Sequence, residues 1–146
     1  FSHRLELRDW GDGVIFLDDS YNGNPDGARA AIAFLASLSG PPRLAVAHRR
    51  EAGRRFYITP GLVEAGARAR EVHEEIGREL ADASVEKIVL IKNSVTLHIE
   101  EGLKKAGFKG EILWYDDMPS CLAALRAASL PGDIILVQND WPDQYA

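Results

Sequence analysis

The chain has 146 residues, 46% of them hydrophobic, with 17 Lys plus Arg against 22 Asp plus Glu and a formal net charge of −5. That length suits one compact domain with a real apolar core, and the acidic balance argues against a general nucleic-acid or membrane-surface binder. One cysteine, Cys121, excludes an internal disulfide framework and a cysteine-based zinc cage, and fits a reducing compartment.

In chain order, a short alternating run at 5–7 predicts an edge strand, and the apolar run 14–17 a strand buried on both faces. Asn24-Pro25-Asp26 then opens a helix: Asn caps orphan amides, Pro fits the first turn, and Asp meets the positive end of the dipole. Its apolar face is Ala28, Ala31, Ile32, Leu35 and Leu38, and Gly40-Pro41-Pro42 stops it. Two runs, 44–47 and 56–59, compete for the next place in the sheet. Between them lies an arginine-rich stretch, 48–55, which at this net charge reads as a solvated loop rather than a nucleic-acid contact.

Ala69, Val72, Ile76, Leu80 and Ala83 predict a second helix, with Glu74 and Arg78 as an exposed i,i+4 pair. His73 borders that stripe and reads as a packed or capping histidine rather than a ligand. A strand at 88–91, a helix through Ile99 and Leu103, a strand at 112–115, a helix through Met118, Cys121 and Leu125, and a strand at 134–137 complete the chain. Strand and helix alternate throughout, so the expected fold is α/β: a single Rossmann-like, three-layer domain with a mostly parallel sheet of about six strands and helices on both faces. No apolar run approaches the ~20 residues that cross a bilayer, and no signal-peptide pattern opens the chain. The first residue is Phe1 and the only methionine is Met118, so residues 1–146 read as one domain of a longer protein.

In such sheets ligands bind beyond the carboxyl ends of the strands. The residues expected there are Asp18-Asp19-Ser20-Tyr21-Asn22-Gly23-Asn24-Pro25, Thr59-Pro60-Gly61, Lys92-Asn93-Ser94, Asp116-Asp117 and Gln138-Asn139-Asp140. The Asp18-Asp19 pair suits a Mg²⁺ ion, ribose hydroxyls or the capping of a turn, and the residues alone leave these open. The phosphate-binding motifs G-x-x-x-x-G-K-[ST] and G-x-G-x-x-G are absent, as are G-x-S-x-G and H-E-x-x-H. A complete nucleotide site within the chain is not expected.

His3-Arg4-Leu5-Glu6 followed by Asp18-Asp19-Ser20-Tyr21-Asn22-Gly23-Asn24-Pro25-Asp26 resembles the start of the C-terminal domain of the Mur ligases, in the branch that adds D-alanyl-D-alanine. Gly61-Leu62-Val63-Glu64-Ala65-Gly66 looks like that family's G-D-M-x-E-L-G segment, His73-Glu74-Glu75-Ile76-Gly77 its H-x-x-[VI]-G helix, and Gly132-Asp133-Ile134-Ile135-Leu136-Val137 its G-D-x-[VI]-L-[VL] strand. The tail departs, reading Gln138-Asn139-Asp140 where the family has K-G-S, and this marks a divergent member.

The resemblance implies one domain of a three-domain, cytoplasmic ligase that activates a carboxylate with ATP and Mg²⁺, both bound mainly by a central domain, and joins it to an amine. Partners would be an amino acid or dipeptide, a carboxylate acceptor and the other domains of the same chain, with no nucleic acid and no membrane. By the same resemblance Arg4 would reach the ATP phosphates, Asp19 would accept from the ribose hydroxyls, and Asn22 and Asn24 would shape the loop against the nucleotide or amine. Lys92, Asn93 and Ser94 would fall at the amine-substrate pocket, and no residue of this chain is expected to bind a metal. Two alternatives remain: a non-catalytic interaction module on the same fold, and a receiver-like signalling domain. The second lacks an acceptor Asp at the end of strand 88–91.

Overall fold

The computed structural model describes residues 5–11, 13–20, 24–38 and 53–139. The elements are β1 (Leu5–Asp9), β2 (Ile15–Ser20), α1 (Pro25–Ser37), β3 (Arg55–Thr59), a 3₁₀ segment (Val63–Arg68), α2 (Ala69–Asp82), β4 (Lys87–Ile91), α3 (Thr96–Lys105), β5 (Glu111–Tyr115), α4 (Met118–Ala128) and β6 (Ile134–Asn139). Of the sequence expectations, Arg4, Asn22, the competing run 44–47 and most of the arginine-rich stretch lie outside the described residues.

The six strands form one sheet in the order β1-β2-β6-β3-β4-β5. Five run parallel, and β1 pairs antiparallel with β2 at the edge, Leu7 opposite Leu17. The chain moves one way along the sheet from β2 through β3 and β4 to β5, and reverses only for β6. Right-handed crossovers put helices of forward steps on one face and the helix of the reverse step on the other. The two cores follow that rule. Ala28, Ile32 and Leu35 of α1, Ile76 and Leu80 of α2 and Ile99 and Leu103 of α3 pack with Tyr57, Ile88, Leu90 and Leu136. On the opposite face Met118, Cys121 and Leu125 of α4 pack with Phe16, Ile58, Val89, Ile135 and Val137. Burial pushes the Cys121 thiol up to about 12, so it serves as a small apolar core residue.

Local signals set the helix ends. Asn24 caps α1, its Oδ1 accepting from the Gly27 amide at 2.7 Å, with Pro25 in the first turn. Asp117 caps α4 by accepting from the Ser120 amide at 2.8 Å, and these hydrogen bonds hold its carboxyl below the usual range. Asp117 therefore closes a helix end. Arg78 bonds Glu75 and, at 3.1 Å, Asp82, so the expected Glu74–Arg78 pair does not form; Glu74 turns to Arg70 and Lys105 instead.

The amino-terminal edge of the sheet is tied by two arginines from the end of the arginine-rich stretch. Arg54 bonds the fully buried Asp133 through Nη2 at 2.7 Å, and Asp133 also accepts from the Arg54 and Leu130 amides. Arg55 clamps Glu86 and donates to the Ala36 and Ser84 carbonyls. These two side chains are structural ties, a finding that corrects the solvated-loop reading at positions 54 and 55.

Helices α2 and α3 meet backbone to backbone. A Cβ on Gly77 would lie 2.2 Å from the Ile99 carbonyl oxygen, and one on Gly102 would lie 2.1 Å from that of Glu74. The crossing therefore requires glycine on both sides. Gly→Ala at an ordinary helix position gains up to about 1 kcal/mol. Here Gly77→Ala and Gly102→Ala are each expected to lose ~1–3 kcal/mol by forcing the helices apart, read as a lower urea midpoint at unchanged slope. A gain in either variant would refute the close crossing.

Candidate functional site

The carboxyl ends of the strands form the edge where sequence placed the site residues. Strand β2 runs further than its apolar run suggested: Asp18, Asp19 and Ser20 are strand residues, in register with Val137, Gln138 and Asn139 of β6. The turn-capping reading of the two aspartates is thereby corrected. Pairing with an equally long β6 keeps them extended, a signal invisible in 14–20 alone.

Parallel register and alternation put Asp19, Gln138, Tyr57 and Thr59 on the α1–α2–α3 face, all at or below 3% exposure. The Tyr57 hydroxyl donates to Gln138 Oε1, and the Thr59 hydroxyl reaches the same oxygen at 3.4 Å while accepting from the Gly61 amide at 2.9 Å. Burial, and then the charges of Asp19 and Glu79, push the Tyr57 phenol well above its ordinary value. It stays protonated, a hydrogen-bond donor. This polar row crosses β2, β6 and β3 directly beneath the edge, and sequence reading missed Tyr57 because it sits inside an apolar run.

The loops beside it are held by His73 and Asn93. His73 is fully buried: Nδ1–H donates to the Ala69 carbonyl at 2.6 Å, and Nε2 accepts from the Leu62 amide at 2.8 Å. These partners define a neutral imidazole. Gly61, at φ +87°, passes so close that a Cβ would stand 2.6 Å from Val95 Cγ2. The packed-histidine expectation holds.

Asn93 Oδ1 accepts from the Val95 and Thr96 amides at 2.9 and 3.0 Å, and its Nδ2 donates to the Pro60 carbonyl, joining the loop after β4 to the loop after β3. Lys92 lies 3.3 Å from Asp116 at the surface, and Ser94 is exposed. Asn24 is occupied as the α1 cap. The structure thus brings Asp19, Asn24, Lys92, Asn93 and Ser94 to one edge, two of them with side chains already engaged by backbone.

A phosphate cradle is not part of this edge among the described residues. The Gly27 amide in the first turn of α1 already bonds its own Asn24, and Asp26 adds negative charge there.

Fold and edge together define a Rossmann-like α/β domain. The chain belongs to the Mur ligases: the family described as Mur ligase, glutamate ligase domain, matches residues 3–138. It is 33% identical over 150 residues to UDP-N-acetylmuramoyl-tripeptide–D-alanyl-D-alanine ligase of Mycobacterium tuberculosis, covering 93% of this chain and 28% of that protein. The protein of the same name from Bacillus subtilis is 26% identical over 133 residues, covering 91% and 26%. Among solved structures, MurF ligase from Thermotoga maritima in complex with ADP shares the fold at a TM-score of 0.66 and 24% identity, over 92% of this chain and 26% of that one. MurF from Acinetobacter baumannii does so at 0.64 and 19%, over 97% and 28%. The chain spans little more than a quarter of each. No helix among the described residues is long and apolar enough to cross a membrane.

Burial lowers the His73 pKa below its ordinary 6.5. As pH falls through about 6.5, the unfolded chain takes up a proton that the folded imidazole refuses, so stability is full above that pH and declines below it. His73→Phe is expected to cost ~1–3 kcal/mol by orphaning the Leu62 amide, and to flatten the stability profile between about pH 7.5 and 5.5. Urea titrations across that range measure both, and an unchanged slope would remove His73 from the pH response.

Proposed function

We propose that this chain is the C-terminal domain of an ATP-dependent ligase that joins a carboxylate to an amine through an acyl phosphate, in cell-wall precursor synthesis or a related pathway. The observation that carries the reading is family membership across 3–138, with Asp18 and Asp19 at the carboxyl end of β2 and Asn24 at the start of α1. A bare carboxylate is a poor electrophile. Transfer of a phosphoryl group to it creates a mixed anhydride, and attack by the amine forms the amide and releases phosphate.

The residues of this chain would act by closing over that chemistry and excluding water from the anhydride. Arg4 would contact the phosphates and favour negative charge developing there. Asp19 would accept from the ribose hydroxyls, a role supported by an acceptor-only carboxylate at the edge, with Asn22 and Asn24 shaping the adjoining loop. Lys92, Asn93 and Ser94 would border the amine: Lys92 and Ser94 have exposed side chains for contact, while Asn93 fixes the loop that carries them. The phosphate cradle and most Mg²⁺ ligands would come from a central domain outside this chain. That division is supported by the absence of a P-loop and the self-capped start of α1.

The chain on its own is expected to unfold cooperatively and to hydrolyse no ATP; turnover by it alone would contradict the divided site. In the complete ligase, Asp19→Ala and Arg4→Ala should each lower kcat/KM for ATP by about ten- to a hundredfold, the equivalent of one hydrogen bond to a charged group. Asp19→Asn, which keeps the buried volume, separates a binding loss from a folding loss. Wild-type rates in all three would remove Arg4 and Asp19 from the nucleotide site, whereas no turnover by the complete unsubstituted protein would favour the non-catalytic interaction module.

A further inference from the structure

Outside the edge, the described residues bring together one group of metal-ligating side chains. Glu74 of α2 and His98 and Glu101 of α3 offer one ligand atom each, all within 4.8 Å of one another. His98 and Glu101 stand three residues apart on one helix face, with Nδ1 and Oε1 3.0 Å apart. Glu74 faces them from the neighbouring helix, and its backbone is fixed because its carbonyl rests against Gly102. The two helices cannot slide without breaking that contact, so the three ligands sit on a rigid frame.

We infer that Glu74, His98 and Glu101 form a binding site for a zinc-class divalent cation that clasps α2 to α3. Ligands at about 2.1 Å from a tetrahedral zinc stand about 3.4 Å apart. The observed spread therefore closes with side-chain rotations of about an ångström, leaving the backbone in place. An imidazole nitrogen beside two carboxylates selects a transition metal over Mg²⁺ and Ca²⁺, which favour all-oxygen shells. Water would complete the fourth position.

Two cations now share the carboxylates. Arg70 lies 3.2 Å from Glu74 and 3.8 Å from Glu101, and Lys105 lies 3.3 Å from Glu74. Their side chains are 67% and 68% exposed, so these are surface pairs that a divalent ion displaces at small cost. The site is independent of the ligase reading.

The test is calorimetric titration of the chain with ZnCl₂, with MgCl₂ as the counter-probe, alongside thermal unfolding and the visible spectrum of the Co²⁺ form. The expected result is saturable 1:1 zinc binding, a melting temperature that climbs with free zinc, intense tetrahedral Co²⁺ bands, and no response to Mg²⁺. Loss of a ligand should weaken zinc at least about tenfold, as even outer partners of ligands do, in both His98→Ala and Glu101→Gln; the second variant serves if the first fails to fold. Arg70→Ala removes a competitor and should tighten binding by about two- to fivefold, the equivalent of a surface ion pair. Absence of saturable binding, full affinity in either ligand variant, or weaker binding in Arg70→Ala overturns the assignment. Each outcome leaves the ligase reading where it stood.

Discussion

The last strand is the constraint on which the molecule turns. Strand β6 lies between β2 and β3, so the sheet has a gap at its centre until the final element arrives. Its apolar stretch, Ile134 to Val137, is bracketed by two buried polar residues, Asp133 and Gln138. Asp133 is matched by the Arg54 guanidinium and two amides, and Gln138 by the hydroxyls of Tyr57 and Thr59. A slip of one residue would turn every side chain to the opposite face and strip both polar groups of partners. An orphaned buried charge alone costs about 3–5 kcal/mol. The polar brackets thus fix the register, and the apolar residues between them supply the burial.

That register reaches the working edge. It sets Asp19 beside Gln138, and Gln138 beside the phenol of Tyr57, which burial keeps protonated. The loops above are held from their own sides: Gly61-Leu62 by the neutral His73, and the start of α3 by Asn93, which also grips Pro60. An exposed rim therefore rests on a layer whose hydrogen bonds are already committed.

Much of this was legible in the sequence where the signal is local. The apolar runs placed the strand cores, Asn24-Pro25-Asp26 placed the start of α1, and the alternating run 5–7 placed an edge strand, whose antiparallel direction the structure adds. What escaped depends on a distant partner. Asp18 and Asp19 left a turn-capping reading open because nothing near them shows that β6 extends to meet them. Arg54 and Arg55 read as loop because Asp133 and Glu86 are far away in sequence. Arg78 found Glu75 and Asp82 because Glu74 was drawn across to Lys105 on the neighbouring helix.

The motifs behind the family likeness divide by the work they do. In His73-Glu74-Glu75-Ile76-Gly77, the histidine pins a loop, the isoleucine fills the core and the glycine admits α3. In Gly132-Asp133, the aspartate receives Arg54. These are instructions for folding, written at the helix crossing and the amino-terminal edge. The tail departure from the family pattern begins at Gln138, at the carboxyl end of β6, where the glutamine itself meets Tyr57 and Thr59. A change at the exposed Lys92 or Ser94, by contrast, leaves the Asp133 and Gln138 contacts that hold β6 in the centre undisturbed. A divergent member built this way would differ from its relatives in what the rim accepts long before it differed in fold.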